Sequence, residues 1–295
     1  MKTRALLLSL LMLLPLSLLP SRAAQAAPIA IVAAESTYGV IAQAIGGNQV
    51  QVDSIIKNPN VDPHSFEATP AVARKVAKAQ IALLNGIGYD DWMTKMLAAN
   101  PAPHRQVIVA AELDPAMIMP DRNPHVFYDP TVALKVAERL AQLLQQADPA
   151  HREAFAGNLQ RFKTQLTRLN EAQEALAKRH PQLKVTATEP VVGYLLRQLG
   201  WTSLGEKFQF DVMNDTEPSP AEVARYEDNL RQHKVALLFY NRQVTDPLTD
   251  RLRALARSSG VPVVGVDEFV PPKTDYVQWQ MQTLAAIEHA LGKAR

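Results

Sequence analysis

Short apolar runs rich in β-branched residues recur along the chain between stretches whose apolar positions are three or four residues apart. Near-continuous apolarity over four to six residues is typical of strands buried on both faces of a parallel sheet. The predicted strands are 29–33, 51–56, 81–85, 107–110, 184–187, 235–240 and 261–266, and helical patterns between them cover 38–44, 70–79, 221–232 and 247–259. This alternation predicts an α/β fold with mostly parallel sheets.

The middle of the chain contains only helical patterns. Asp129-Pro130 and Asp148-Pro149 both place an N-cap acid before a proline, the usual start of a helix. The second helix is expected to run to about Arg179, which gives a length of roughly 45 Å. We therefore predict two α/β lobes with central sheets, joined by a long backbone helix.

The first 26 residues have the pattern of a secretory signal. Two cationic side chains precede an uncharged run of about 15 residues, and Ala24-Gln25-Ala26 resembles a cleavage site. A membrane anchor needs about 20 apolar residues, and this run is shorter and contains Pro15. The predicted organisation is a signal peptide at 1–26, an N-terminal lobe at 27–145, a linking helix at 146–180 and a C-terminal lobe at 181–295.

Composition excludes several classes of protein. The 295-residue chain has no cysteine, which removes disulfides, thiolate metal sites and the acylation site of a bacterial lipoprotein. Loss of residues 1–26 would remove three cations and change the formal net charge from +2 to −1. A nearly neutral chain is not expected to bind nucleic acid. We expect an exported protein located in the periplasm without a lipid anchor.

Two of the seven histidines lie in loops stiffened by proline. His64 follows the predicted strand 51–56, at the sheet edge where open α/β proteins bind ligands. His125 precedes the helix start at Asp129-Pro130. Both are candidate metal ligands, although a single histidine is more often structural. The other histidines are expected to cap helices or face solvent, and they are His104, His151, His180, His233 and His289.

Carboxylates occupy matching positions in the second half of the chain. Glu189 follows the predicted strand 184–187, and Asp267 and Glu268 follow the strand 261–266. An isolated acid at such a position commonly caps a helix or a turn. All three follow strand ends, as His64 does, and are therefore candidate ligands as well.

Four sequence motifs link these separate candidates. Residues 62–70 (DPHSFEATP), with 79–88 (AQIALLNGIG) after them, resemble the first-ligand motif of the metal-binding proteins of zinc/manganese ABC importers, the ZnuA/TroA-like family of cluster A-I. Residues 123–130 (NPHVFYDP) are similar to the second motif of that family, which usually has Trp and Leu in place of Phe127 and Tyr128. Residues 188–194 (TEPVVGY) resemble the third motif, and 260–268 (GVPVVGVDE) resemble the segment before the fourth ligand.

The resemblance extends over the chain after residue 26 and implies a function. It implies a monomeric periplasmic protein that binds Zn²⁺ or Mn²⁺ between two lobes and delivers it to an inner-membrane ABC permease, without catalysis or a catalytic cofactor. The implied metal ligands are His64, His125, Glu189 and Glu268, with Asp267 as the alternative fourth ligand. A set of two imidazoles and two carboxylates lies between the preferences of zinc and manganese. The His-rich acidic loop of many zinc-specific members is absent.

Two other functions are less consistent with the sequence than metal transport is. An exported metallohydrolase is disfavoured because the chain contains neither H-E-x-x-H nor H-x-x-E-H. A metal-independent solute-binding or adhesion function is disfavoured because no aromatic platform or basic patch in the sequence supports it. If histidines bind the metal, affinity should fall as the pH falls through about 6.5. The long helix also predicts limited movement between the lobes.

Overall fold

A computed structural model describes residues 27–64, 66–244 and 246–293. The predicted signal peptide at 1–26 lies outside these residues. Within the described part of the chain, no helix is both long enough and apolar enough to cross a membrane. The boundaries at 145/146 and 180/181, between the two lobes and the linking helix, remain predictions.

The N-terminal half forms a four-stranded parallel sheet. Its strands are β1 (Ile29–Glu35), β2 (Val50–Ile56), β3 (Ile81–Leu84) and β4 (Gln106–Val109), in the order β2-β1-β3-β4. The helices between them are α1 (Ser36–Gly46), α2 (Pro70–Lys78) and α3 (Asp91–Ala99). All four predicted strands of this half are present.

Two consecutive helices connect the sheets. The first is α4 (Pro130–Ala147), whose N-cap Asp129 accepts a hydrogen bond from the backbone N–H of Thr131, as its sequence predicts. A single 3-10 turn then precedes the 28-residue helix α5 (Arg152–Arg179). The buried side chains of α5 lie three, four or seven residues apart, so they form a stripe along one side of the helix. This stripe contacts both halves of the molecule.

The C-terminal half contains a second four-stranded parallel sheet. Its strands are β5 (Lys184–Ala187), β6 (Thr202–Ser203), β7 (Leu238–Asn241) and β8 (Val263–Val266), in the order β6-β5-β7-β8. The helices are α6 (Gly193–Leu199), α7 (Glu206–Met213), α8 (Pro220–Arg231), α9 (Pro247–Ser258) and α10 (Tyr276–Lys293). The two-residue strand β6 was not predicted, and β7 begins three residues later than expected. The α/β fold with two parallel sheets and a long connecting helix is confirmed.

One apolar core extends from the N-terminal sheet to the C-terminal sheet. It includes Leu144 of α4, Leu169 of α5, Leu196 of α6, and Trp279 and Ile287 of α10, all nearly inaccessible to solvent. Smaller clusters cover the outer face of each sheet beneath α2 and α3 and beneath α8 and α9. The loops at the carboxyl ends of the two sets of strands also contact each other, since Oγ of Ser36, after β1, donates to the carbonyl of Val270, after β8, at 2.7 Å.

Candidate metal centre

The four ligand candidates follow strands or precede a helix start. His64 lies in the loop between β2 and α2, and His125 immediately precedes the 3-10 turn that leads into α4. Glu189 lies two residues after β5, and Glu268 lies two residues after β8. Two side chains therefore come from each half of the molecule.

His64, His125 and Glu268 form a compact group. Nε2 of His64 lies 3.2 Å and Nε2 of His125 lies 3.5 Å from the same oxygen, Oε2 of Glu268. One ligand atom from each of the three residues lies within 4.8 Å of the other two. Within the described ranges, no other histidine belongs to this group. These three side chains could contact one metal ion together.

Glu189 adjoins this group through an amide side chain. Nδ2 of Asn241 donates to Oε2 of Glu189 at 3.1 Å and to Oε1 of Glu268 at 2.6 Å. The two carboxylates therefore lie on either side of one Asn241 amide group. Glu189 is nearly as buried as His125 and Glu268, with about 1% of its surface exposed.

The orientation of the His125 ring is fixed by Asn123. Nδ1 of His125 lies 2.7 Å from Oδ1 of Asn123, an oxygen that can only accept. Nδ1 therefore carries the proton and Nε2 keeps its lone pair, which is the tautomer that binds a metal. The amide nitrogen of Asn123 donates to the carbonyl of Pro190, next to Glu189. A Cβ at Gly193 would lie 2.5 Å from that nitrogen, so this close approach requires glycine.

Asp267 and Glu268 are adjacent in sequence but have different surroundings. The carboxylate of Asp267 accepts a 2.6 Å hydrogen bond from Nη1 of Arg242. Glu268 is completely buried and faces both histidines, and the O–H of Tyr89 also donates to its Oε2 at 3.1 Å. The geometry thus favours Glu268 over Asp267 as a ligand.

Burial and mutual charge shift the pKa values of these groups. Burial opposes protonation of His64, but the adjacent Glu268 carboxylate outweighs it and raises the pKa of His64 to about 9. Burial lowers the pKa of His125. Burial and the charge of Glu268 raise the pKa of Glu189 to about 8. Burial alone would also raise the pKa of Glu268, but the two imidazoles hold it well below its usual range.

Several buried atoms in the centre have no hydrogen-bond partner. They are Nε2 of His64, Nε2 of His125 and Oε1 of Glu189, none of which is in hydrogen-bonding geometry with a described residue. Unpaired buried polar atoms are costly, and a cation contacting the two imidazole nitrogens would remove part of that cost. No oxygen of Glu189 belongs to the group of atoms that lie within 4.8 Å of one another, so Glu189 borders the compact group without joining it. Two neutral imidazoles and two carboxylates balance the charge of a divalent ion. The donor set therefore fits a divalent transition metal.

His64 is the most exposed of the four ligand candidates. The side chain of His64 is 16% exposed, whereas those of His125 and Glu268 are fully buried. His64 borders a cavity of about 250 Å³ whose wall also includes Tyr89, Asp121, Arg122 and Met213. A metal ion would therefore reach the buried groups past His64.

The sequence did not point to Asn241 or Tyr89. Both contact the carboxylate of Glu268, and Asn241 contacts Glu189 as well. Asn241 directly follows the predicted strand 235–240, and the position after a strand was the signal used for Glu189 and Glu268. If amide side chains at this position had been considered as well as carboxylates, Asn241 would have been a candidate. Tyr89 follows the glycine-rich segment 79–88 and has no comparable signal.

Sequence comparison finds a matching family model and several similar proteins. A family model described as zinc-uptake complex component A, periplasmic, matches residues 31–290. The iron-binding protein YfeA of Yersinia pestis is 26% identical over 70% of this chain and 67% of its own length. The manganese ABC transporter substrate-binding lipoprotein PsaA of Streptococcus pneumoniae is 24% identical over 79% of this chain and 77% of its own length.

A solved structure has the same fold. The periplasmic zinc-binding protein TroA of Treponema pallidum superposes with a TM-score of 0.75 at 19% identity, over 90% of this chain and 99% of its own. The names of these three similar proteins refer to three different metals: iron, manganese and zinc.

Proposed function

Because this chain belongs to the family of periplasmic component A proteins of zinc-uptake complexes, we propose that it captures a divalent transition metal ion, Zn²⁺ or Mn²⁺, between its two halves. It is the substrate-binding component of an ABC importer and presents the ion to the membrane permease. The family supports this function over the metallohydrolase and the metal-independent binding protein considered from the sequence.

This proposal is carried by a buried group of nitrogen and oxygen atoms that could bind a metal and have no hydrogen-bond partner among the described residues. Nε2 of His64 and Nε2 of His125 converge on Oε2 of Glu268 without hydrogen-bond partners of good geometry among the described residues. Purely structural histidines normally use both ring nitrogens when buried. We propose His64, His125, Glu189 and Glu268 as the four metal ligands. Glu268 is preferred to the alternative Asp267, because Arg242 binds the carboxylate of Asp267.

A carrier rather than an enzyme is the role that best suits this ligand set. Four protein ligands complete a tetrahedral shell and leave no position for an activated water, which a catalytic zinc site retains. We accordingly propose that the bound ion is cargo and that the protein uses no catalytic cofactor. We also propose that the protein acts as a monomer without binding nucleic acid.

The location of the protein follows from its family and from its first residues. The family is periplasmic, and we propose that residues 1–26 are a signal peptide removed on export. PsaA of Streptococcus pneumoniae is called a lipoprotein, whereas this sequence contains no cysteine. Mass spectrometry of protein recovered from the periplasm should give the mass of a chain that begins at Ala27.

Calorimetric titration of metal-stripped protein with Zn²⁺ and with Mn²⁺ tests the proposed function. We expect one ion per chain, with binding abolished in a His64→Ala, His125→Ala double variant. A matched control is His104→Ala, His233→Ala, which removes two exposed histidines and should bind like the wild type. Unchanged affinity in the first double variant would show that the ion binds elsewhere.

A further inference from the structure

The position of Asn241 in the sheet is the starting observation. Asn241 is the last residue of β7, which lies between β5 and β8. Glu189 follows β5, and Glu268 follows β8. The amide therefore lies at the carboxyl end of the middle strand, between the two carboxylates.

Three hydrogen bonds hold this amide in one orientation, and a fourth holds the backbone of Asn241. Its Oδ1 accepts from the backbone N–H of Gln243 at 3.0 Å, which places Nδ2 on the side of the glutamates. The backbone N–H of Asn241 donates to Oγ1 of Thr188 at 3.1 Å. The amide nitrogen has two hydrogens and donates to both Glu189 and Glu268. Asn241 is 1% exposed, so water does not compete for these bonds.

Each glutamate consequently has one oxygen bound to Asn241 and one that is not. In Glu268, Oε1 accepts from Asn241 while Oε2 faces His64 and His125. In Glu189, Oε2 accepts from Asn241 while Oε1 is buried without a partner. Turning either carboxylate so that both oxygens contact one ion would break its bond to the amide and leave a buried N–H unpaired, which is costly.

We propose that Asn241 is a specificity-determining residue that holds Glu189 and Glu268 as single-oxygen ligands and thereby selects Zn²⁺ over Mn²⁺. This inference rests on the proposed function, because it assumes that the four residues bind the metal. One oxygen from each glutamate and one nitrogen from each histidine make a four-coordinate shell, the geometry that Zn²⁺ prefers. Mn²⁺ prefers six-coordinate sites made mostly of oxygen ligands, so it would need each carboxylate to bind through both of its oxygens.

The wild-type protein supplies the first test. Metal-stripped protein is titrated with Zn²⁺ and with Mn²⁺ to obtain the ratio of their dissociation constants, and with Co²⁺ as a probe of coordination number. Four-coordinate Co²⁺ absorbs visible light strongly and six-coordinate Co²⁺ absorbs weakly. We expect preference for Zn²⁺ and an intense Co²⁺ spectrum. A weak, six-coordinate spectrum would overturn the inference without the need for a variant.

Removal of the amide supplies the second test. In Asn241→Ala the carboxylates are free to turn, and Zn²⁺ affinity should fall by about 10–100-fold, as for other changes around a metal site. Mn²⁺ affinity should fall less, so the preference for Zn²⁺ should narrow by about tenfold or more. The Co²⁺ spectrum should weaken. Asn241→Ser, which retains a hydroxyl near the N–H of Gln243, repeats the test if the alanine variant does not fold.

Tyr89→Phe is the matched control, because it removes a hydrogen bond from the same carboxylate at the metal-facing oxygen. It should alter Zn²⁺ and Mn²⁺ binding alike and leave their ratio and the Co²⁺ spectrum unchanged. An Asn241 variant that binds both metals at the wild-type ratio would refute the selectivity role. If the wild-type protein binds none of the three metals, the proposed function itself fails, which is a distinguishable result.

Discussion

The side chain of Asn123 lies 2.7 Å from Nδ1 of His125 and donates, through its amide nitrogen, to a carbonyl next to Glu189. One residue thus sets the tautomer of a histidine in the N-terminal half and contacts the C-terminal half. Metal affinity should depend on this residue although it is not itself a ligand candidate.

Asn123→Ala should lower metal affinity by about 10–100-fold, because His125 would lose the group that orients its ring. Competition against a chelator of known affinity measures the change. Asn100→Ala, which removes a side-chain amide that donates to the carbonyl of Met96 in α3, is the control and should retain wild-type affinity. Equal affinities in the two variants would mean that the ring is held by its other contacts.

Metal binding at pH 7 should release protons from His64 and Glu189. The pKa values of about 9 and about 8 mean that both groups are largely protonated before the ion binds. Affinity should therefore rise from pH 6 to pH 8, and the decline on acidification should begin well above the pH of about 6.5 expected from an ordinary histidine. Calorimetry in buffers of different ionisation enthalpy measures the released protons. Binding without proton release would contradict these shifts.

The stability of the metal-free protein should fall as the pH rises from about 6.5 to about 8. Over this range the folded protein holds protons on His64 and Glu189 that the unfolded chain has lost, because both folded pKa values are raised. Stability decreases with pH wherever the folded state binds more protons. Thermal unfolding at intervals across this range measures the trend. Glu189→Gln removes one of the two groups, and its slope should be shallower.

Leu169→Ala should destabilise the whole molecule by about 2–5 kcal/mol, the usual cost of such a truncation in a core. Leu169 lies on α5 and is fully buried in the core that both sheets share. Denaturant unfolding should still show one transition. The exposed residue Gln165 on the same helix gives the control variant Gln165→Ala, with little change expected. Two separate transitions would indicate that the halves unfold independently.

Metal binding should move the two halves only slightly relative to each other. Several hydrogen bonds cross between them, including Ser36 Oγ to the carbonyl of Val270 at 2.7 Å and Tyr276 O–H to that of Phe127 at 2.8 Å. The chain has no cysteine, so Lys95→Cys and Arg225→Cys would provide a unique pair of exposed labelling sites. The distance between spin labels should change by no more than about 2 Å on metal binding. A larger change would indicate rigid-body closure.

The elements of the fold could be predicted because their signals are local. The Asp129-Pro130 start of α4 and the apolar stripe of α5 depend on residues within a few positions of each other, and both are present in the structure. The strand β6 was missed because two residues carry no measurable period. The beginning of β7 was misplaced because an apolar run does not indicate where pairing with β5 and β8 starts.

The sequence alone determined the fold class, the linking helix and the candidate set that includes His64, His125 and Glu189. It did so because apolar periodicity, helix caps and short motifs are properties of neighbouring residues. The resemblance placed Glu268 ahead of Asp267, but only the tertiary structure gave a physical reason for this order, since the side chains of the two adjacent residues point in different directions. The tertiary structure also placed Asn241 between two carboxylates and set their pKa values, which depend on burial and on charges far away in sequence.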